Sequence, residues 1–466
     1  AAGLAAHPGK TGVLGIPDGR GAIASRIKLA EQAEASIDAQ YYFWADDTAG
    51  RLLLKALGEA SERGVRVRLL LDDTGTSGLD GTFAALARRD NFEVRVFNPS
   101  RIRAAKPAGF ATDFFRMNRR MHNKALIVDG AAAIVGGRNI ADEYFQLDDD
   151  GFFIDLDVLA AGAVVPETAA VFDLYWNSDS AYPIEQLSKP AGALPGWLTD
   201  DAAAGPETER LAMSEQRNTA ADRFLRGEDA LEWVDAAVVA DHPAKGLGRA
   251  SGDQLMVNRL RAAAGDVTSG LDLVSAYFIP AVGGVKYFTG LAERGVRVRV
   301  LTNAFDSTDV KPVHAGYAKY RHRLLKSGVA LYELKSEAGG DPVSDARQGR
   351  GPTSRSASGT SLHAKTLSLD GERVFVGSFN FDPRSARLNC EMGFMIDSPA
   401  MARRLTERFD RIAPSTYAVG LDNGALYWTE TDEDGTETVL TTEPGTSLFD
   451  RIAVRLLGLL PIEWLM

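Results

Sequence analysis

The chain has 466 residues, room for two or three domains at about 150 residues each, and its 45% hydrophobic and 25% charged composition is ordinary for a globular protein with a large core. Fifty-two basic against 63 acidic side chains leave a net charge of −11, so no global positive field draws in nucleic acid. A single cysteine, Cys390, excludes an intramolecular disulfide and a cysteine-rich zinc site, and no apolar run of about 18 residues predicts a spanning helix.

The first residue is not Met, and residues 1–6 are too short for a signal peptide, although they could be the stub of one. In chain order, a strand-like run ending in aromatics follows at Ile37-Asp-Ala-Gln-Tyr-Tyr-Phe-Trp44. A helical pattern comes next through Leu52, Leu53, Ala56, Leu57 and Ala60, then Arg63-Gly-Val-Arg-Val-Arg68 opens another strand. Strand, helix, strand predicts a βαβ unit with a partly parallel sheet. Asp148-Asp-Asp150 reads as a solvated loop rather than a metal cluster. The same three blocks recur later: Leu271-Asp-Leu-Val-Ser-Ala-Tyr-Phe278, a helical pattern through Tyr287, Phe288 and Leu291, and Arg294-Gly-Val-Arg-Val-Arg299. This predicts a duplicated domain at 8–185 and 230–412, with a Pro-, Ala- and acid-rich connector at 186–229. Residues 337–361 are Gly/Ser/Arg-rich without an apolar period and predict a mobile loop. Residues 413–466 predict a β-hairpin and an apolar, amphipathic tail.

Each half contains His-x-Lys-x4-Asp-Gly, then Gly seven and Asn ten residues after the Asp. The first set is His122, Lys124, Asp129, Gly136 and Asn139; the second is His363, Lys365, Asp370, Gly377 and Asn380. From the His, basic and acidic counts, about 0.09 chance occurrences of the His-basic-acid spacing are expected, so two complete sets are a strong signal. In a strand, His and Lys two apart share a face. Asp-Gly is a favoured hairpin turn, so the chain doubles back and returns each Asn toward its His-Lys end. Asp129 and Asp370 then point away and read as turn-holding residues.

Two imidazoles, two ammoniums and two carboxamides around one point suit the oxyanion of a phosphate diester and call for no metal or cofactor. One neutral imidazole can attack phosphorus while the other, protonated, gives its proton to the leaving alkoxide. Each ring needs an orienting acceptor on its other nitrogen. Asp157 and Glu391 stand in corresponding strand-like segments and are the expected acceptors, with ordinary strand ion pairs as the alternative. Asn139 and Asn380 could instead hold the hairpin ends. Tyr42 and Tyr277 end equivalent strands, where ligands often sit in α/β folds, although core aromatics are commoner there.

The doubled His-x-Lys-x4-Asp pattern resembles the phospholipase D superfamily. Longer stretches are similar to bacterial cardiolipin synthases of the C type: Asn118-Arg-Arg-Met-His-Asn-Lys124, Val135-Gly-Gly-Arg-Asn139 with Asp142-Glu-Tyr-Phe145, Asp155-Leu-Asp-Val158, Val313-His-Ala-Gly-Tyr317, Val376-Gly-Ser-Phe-Asn-Phe-Asp-Pro-Arg384 and Leu460-Pro-Ile-Glu-Trp-Leu465. The resemblance implies two tandem phospholipase D-like α/β/α sandwich domains related by a pseudo-two-fold, with the active site between them. It implies a phosphatidyltransferase with His122 as nucleophile, His363 as acid/base, Glu391 orienting His122 and Asp157 orienting His363. Phosphatidylglycerol is the implied acceptor and phosphatidylethanolamine the donor. Arg120, His314 and Tyr317 enter as substrate-binding candidates through the resembling stretches, although a lone histidine is more often a structural hydrogen-bonder and that reading is favoured for His314 and Tyr317. Ser378 follows the second downstream Gly where the first half has Gly137, and is expected to donate to the phosphate.

A lipid substrate needs a docking surface, expected at the inner membrane of a bacterium. Phe110, Phe114, Phe115 and Met117 interleave with Arg116, Arg119 and Arg120 just before His122, and residues 448–466 carry Phe449, Ile452, Leu456 and Trp464. Core helices are the alternative. Competing activities are phospholipid hydrolysis to phosphatidic acid, cleavage of nucleic acid, and lipid binding without catalysis; whether an accessory protein takes part is left open.

Overall fold

Two mixed β-sheets carry the molecule. The computed structural model describes residues 2–76, 78–103, 106–147, 152–189, 194–199, 223, 231–336, 360–432, 434–459 and 463–465. The loop at 148–150, most of the connector and nearly all of the loop at 337–361 lie outside the described residues.

The first sheet runs in the order Glu232–Val234, Thr11–Ile16, Asp157–Gly162, Ala132–Gly136, Ala125–Val128, Ser36–Phe43, Arg66–Gly75, Phe92–Phe97, Ala181–Pro183. The second runs Ala236–Ala240, Met392–Ile396, Arg373–Gly377, Lys365–Leu369, Gly270–Ser275, Arg297–Asn303, Ala330–Leu334, Thr416–Asp422, Ala425–Thr431, Glu437–Leu440. In each, three consecutive strands are parallel: Ser36–Phe43, Arg66–Gly75 and Phe92–Phe97 in one, and Gly270–Ser275, Arg297–Asn303 and Ala330–Leu334 in the other. Helices Thr48–Glu62 and Ala281–Glu293 make the crossovers.

The repeated Arg-Gly-Val is where each crossover helix stops. Gly64 and Gly295 take left-handed φ values of 93° and 84°. The following Val65 and Val296 are buried, and their backbone N–H groups donate to Ala60 and Leu291, which closes the helix ends. A side chain at either glycine would cost about 1–2 kcal/mol in that conformation.

Strand alternation divides the core. Leu126, Ala132, Ile134 and Leu159 face the helices Gly19–Gln32 and Thr48–Glu62. Ala125, Ile127, Ala133, Val135, Val158 and Ala160 face a joint core with Val374, Val376, Met392, Phe394 and Ile396 of the second sheet. Val135, Val158, Val374, Val376, Phe394 and Ile396 are fully buried there. At roughly 1.5–3 kcal/mol per side chain, the two halves share a core and are not merely in contact.

One expectation changes at the edges of the sheets. Glu232–Val234 pairs with Thr11–Ile16 and so belongs to the first sheet, while Ala236–Ala240, one residue further on, pairs with Met392–Ile396 of the second. The strands after residue 413 include a hairpin, Thr416–Asp422 with Ala425–Thr431, and it is built into the second sheet. Thr416–Asp422 pairs with Ala330–Leu334, and two further strands extend the second sheet from it. The difference arises because a single residue, Asp235, separates two short strands, and no local pattern marks which sheet each one joins.

Candidate active site

The two Asp-Gly turns set the strands that lead away from each histidine. Asp129 and Gly130 have φ of 53° and 60°, and Asp370 and Gly371 have 54° and 69°, the double left-handed geometry of a tight hairpin. The Asp129 carboxylate accepts from the backbone N–H groups of Glu34, Ala35 and Ser36, and Asp370 from those of Thr268, Ser269 and Gly270. Each turn thereby tethers the start of a central strand and lies away from the histidines.

The segment entering each histidine pairs with the other half. His122 N donates to Cys390 O at 2.8 Å and Cys390 N to Arg120 O at 2.8 Å. Ser361–Leu362 runs parallel to Phe153–Ile154, and His363 N donates to Ile154 O at 2.8 Å. These exchanges carry each ring onto an acid of the opposite half. His122 Nδ1 lies 2.8 Å from Glu391 Oε2, and His363 Nδ1 lies 2.6 Å from Asp155 Oδ2. With Nδ1–H donated to a carboxylate, the Nε2 lone pair of each ring is turned away from the acid and free to act as nucleophile or base.

The acid against His363 is Asp155 and not the expected Asp157. The ladder explains the error: Gly136 pairs with Asp157 and Gly377 with Gly393, so Asp155 is the counterpart of Glu391 and Asp157 that of Gly393. Asp157 is fully buried and lies 2.9 Å from Arg26 Nη1 and 3.2 Å from Arg138 Nη1, an internal ion pair of the first half. Aligning Leu156 with Met392 and Val158 with Phe394 was the available signal.

Both lysines are buried beside their histidines. Lys124 Nζ donates to His122 O at 2.6 Å; Lys365 Nζ donates to His363 O and lies 3.0 Å from His363 Nδ1. Burial, helped by the two lysines and opposed by Glu391, pushes His122 down to about 4. Burial and Lys365, opposed by Asp155, push His363 down to about 3. Burial lowers both ammoniums too, Lys365 to about 8. Asp155 is down at about 2 despite its burial, because His363, Lys365 and Arg138 favour its anion, and Glu391 is lowered by His122, Lys124 and Ser378 against its own burial. The field of Lys365 reaches His122 and that of Lys124 reaches His363, so the two sets form one electrostatic site.

The remaining candidates divide. Tyr42 sits edge-on to His122, ring centroids 5.1 Å apart, with Lys124 Nζ 5.4 Å from its centroid. Tyr277 instead donates to Asp309 Oδ2 at 2.6 Å. Asn139 Nδ2 donates to the Tyr144 hydroxyl at 2.8 Å, and the buried Oδ1 atoms of Asn139 and Asn380 have no partner among the described residues. Ser378 does not face the site: it is fully buried, with Oγ donating to Glu391 Oε2 at 2.5 Å. Arg120 is not a surface for substrate either, since its buried guanidinium is held by Asp72, the Asn98 carbonyl and the Arg119 carbonyl. His314 and Tyr317 are likewise consumed in a buried network. His314 Nε2 meets Glu443 and Arg321, while the Tyr317 hydroxyl donates to Glu333. Sequence reasoning missed Tyr144 and Phe153, whose rings lie 4.9 and 5.2 Å from that of His363. Tyr144 stands in the quoted Asp142-Glu-Tyr-Phe145 stretch, but only the fold carries it across to the other half.

The two expected docking segments meet. Trp464 stacks on Phe115 at 6.3 Å and stands edge-on to Phe114 at 6.2 Å, and all three are exposed; Phe110 is half-buried. Helix Leu448–Leu459 buries Val454 against Phe305 and Ala315 and leaves Leu448, Phe449, Ile452 and Leu456 outward. No helix among the described residues is long and apolar enough to cross a membrane.

Comparison with known proteins agrees with this geometry. The profile described as cardiolipin synthase, PLD-like domain, matches residues 26–176 and 258–413, one match per half. A protein of Escherichia coli strain K12 named cardiolipin synthase C is 42% identical over 99% of this chain and 97% of its own. The chain belongs to the cardiolipin synthase family of phospholipase D-like proteins. Within that family, the major cardiolipin synthase ClsA of Bacillus subtilis strain 168 is 25% identical over 84% of this chain and 67% of its own. The fold is shared with phosphatidylserine synthase of Haemophilus influenzae Rd KW20, at a TM-score of 0.57, 14% identity and 87% coverage of both chains. The family thus agrees with the two tandem α/β domains seen here.

Proposed function

We propose that this protein synthesises cardiolipin by phosphatidyl transfer, with His122 as nucleophile and His363 as general acid and base. The observation that carries this reading is the crossed anchoring of each imidazole by the other half's carboxylate, which gathers both His-Lys sets at one site. In the first step, His122 Nε2 bonds to the phosphorus of the donor as the bond from phosphorus to the headgroup oxygen breaks, and His363 protonates the departing alkoxide. In the second, His363 takes the proton of an acceptor glycerol hydroxyl, its oxygen bonds to phosphorus, and the P–N bond breaks. Lys124 and Lys365 hold the diester anion, whose charge offsets their repulsion of the rings and raises both imidazoles toward the values acid catalysis needs.

The donor in this reading is phosphatidylethanolamine and the acceptor phosphatidylglycerol, following the resemblance to C-type synthases. Peripheral attachment to the inner membrane is supported by the exposed Phe114, Phe115 and Trp464 beside the segment that leads into His122, and by the outward apolar side of helix Leu448–Leu459 next to Arg451 and Arg455.

Purified protein on vesicles of labelled phosphatidylethanolamine and phosphatidylglycerol should release ethanolamine and form cardiolipin, with a phosphatidyl adduct on His122 by mass spectrometry. Phosphatidic acid without cardiolipin, or cleavage of a nucleic acid panel in its place, overturns the reading. For the docking part, Phe115→Ala with Trp464→Ala should lower co-flotation with these vesicles; unchanged flotation removes that surface.

A further inference from the structure

We propose that the two halves seat their orienting acids in two non-interchangeable cradles, Ser378 with Glu391 and Gly137 with Asp155, and that Ser378 is a positioning residue acting on His122 alone. Ser378 and Gly137 are equivalent in the ladders: each is the next residue after a paired glycine, and each backbone N–H donates to the residue following the acid, Met392 O at 2.9 Å and Leu156 O at 3.4 Å. What stands above that position differs.

In the second half the hydroxyl is present and the acid is the longer one. Ser378 Oγ donates to Glu391 Oε2 at 2.5 Å, accepts from Met392 N at 3.0 Å, and the same Oε2 faces His122 Nδ1 at 2.8 Å. One oxygen therefore takes two donors, which fixes both its position and the rotation of the imidazole. Oε1 of Glu391 is buried with no partner among the described residues, so the hydroxyl and the imidazole set which oxygen is used.

In the first half the acid is one methylene shorter and occupies the space a side chain would fill. A Cβ placed on Gly137 would lie 2.3 Å from Asp155 Oδ1 and 2.5 Å from Oδ2, closer than atoms can approach. Asp155 is steadied by a backbone donor in place of the hydroxyl, Leu156 N to Oδ1 at 2.8 Å, while Oδ2 faces His363. A side chain at 137 excludes aspartate from its seat, and the absence of one at 378 leaves glutamate untethered. Each acid is matched to its strand neighbour.

The inference rests on the proposed transfer mechanism only for its activity arm. In the free protein with 15N-labelled imidazoles, Ser378→Ala should shift the His122 signals and leave those of His363 in place, and Gly137→Ser should do the reverse. Transfer should fall roughly tenfold in Ser378→Ala, the scale of one lost hydrogen bond to a charged group. Gly137→Ser should fall further, and Gly137→Ser with Asp155→Glu, which transplants the other cradle, should recover activity and the His363 signals. Overturning results are a Ser378→Ala spectrum in which both or neither histidine moves, or a folded double variant no better than Gly137→Ser. The spectra need no substrate, so failure of the transfer reading leaves this test intact.

Discussion

The stretch after Asn139 and the stretch after Asn380 begin from matched residues and reach the orienting acid by different lengths. Sixteen positions separate Asn139 from Asp155, and eleven separate Asn380 from Glu391. The longer one carries the short helix Asp142–Tyr144 and the strand Phe153–Ile154, and lays two aromatic rings on His363. The shorter one holds helix Pro383–Arg387 and meets the opposite half through the Met121–Cys390 bridge, the Arg384 side chain on Asn118, and Glu391 on His122. His122 receives its ring, Tyr42, from its own sheet. Duplication preserved the His-Lys-Asn sets, and the added residues went into enclosing one histidine with the other half's loop.

The comparison can be broken most severely at the acid. Asp155→Asn should lower transfer about 100-fold or more, because an amide no longer fixes the proton-donating nitrogen of His363. Asp157→Asn, two residues away, should instead destabilise the fold by about 3–5 kcal/mol, since Arg26 and Arg138 lose their buried counter-ion. Activity assays beside denaturant unfolding separate the two; equal activity losses in stable proteins would show that the ladder assignment is wrong. Tyr144→Phe removes only the hydroxyl that Asn139 donates to and should cost about tenfold in transfer with little change in melting. The smallest effect is a displacement in pH. Burial holds the imidazoles near 4 and 3, below the ordinary 6.5. The acid limb of kcat/KM, which reports the free enzyme, should fall below pH 6.5, and that of kcat should lie higher because the bound diester favours protonation. Because folding lowers both values, the unfolded chain gains these protons first, so stability falls as pH drops from about 6.5 toward 4, and thermal melts should record the loss.

Much of this was legible in one sequence because the repeat reports on itself. Arg63-Gly-Val and Arg294-Gly-Val mark helix ends, since the left-handed φ there favours glycine, and the Asp-Gly pairs mark hairpins because Asp and Gly both tolerate the left-handed geometry of the tight turn. The His-Lys spacing was equally plain. The choice between Asp155 and Asp157 was not, because the two stand two positions apart in one strand-like run of sequence and the unequal loops before the acids hide the register. Ser378 and Arg120 went astray for another reason: a polar side chain reads the same whether its partner is a substrate or a buried carboxylate. Tyr144 and Phe153 act across the halves, and no local pattern announces a contact with a residue some two hundred positions away.

Asp235 is the lone residue between a strand zipped to one sheet and a strand zipped to the other. Prising the lobes apart would strip one of those strands from its neighbour, so the two lobes are not free to swing like a clamshell. A fragment ending before Glu232 would expose the bare edge of Thr11–Ile16, a template for self-association. The two lobes should melt together as a single cooperative body.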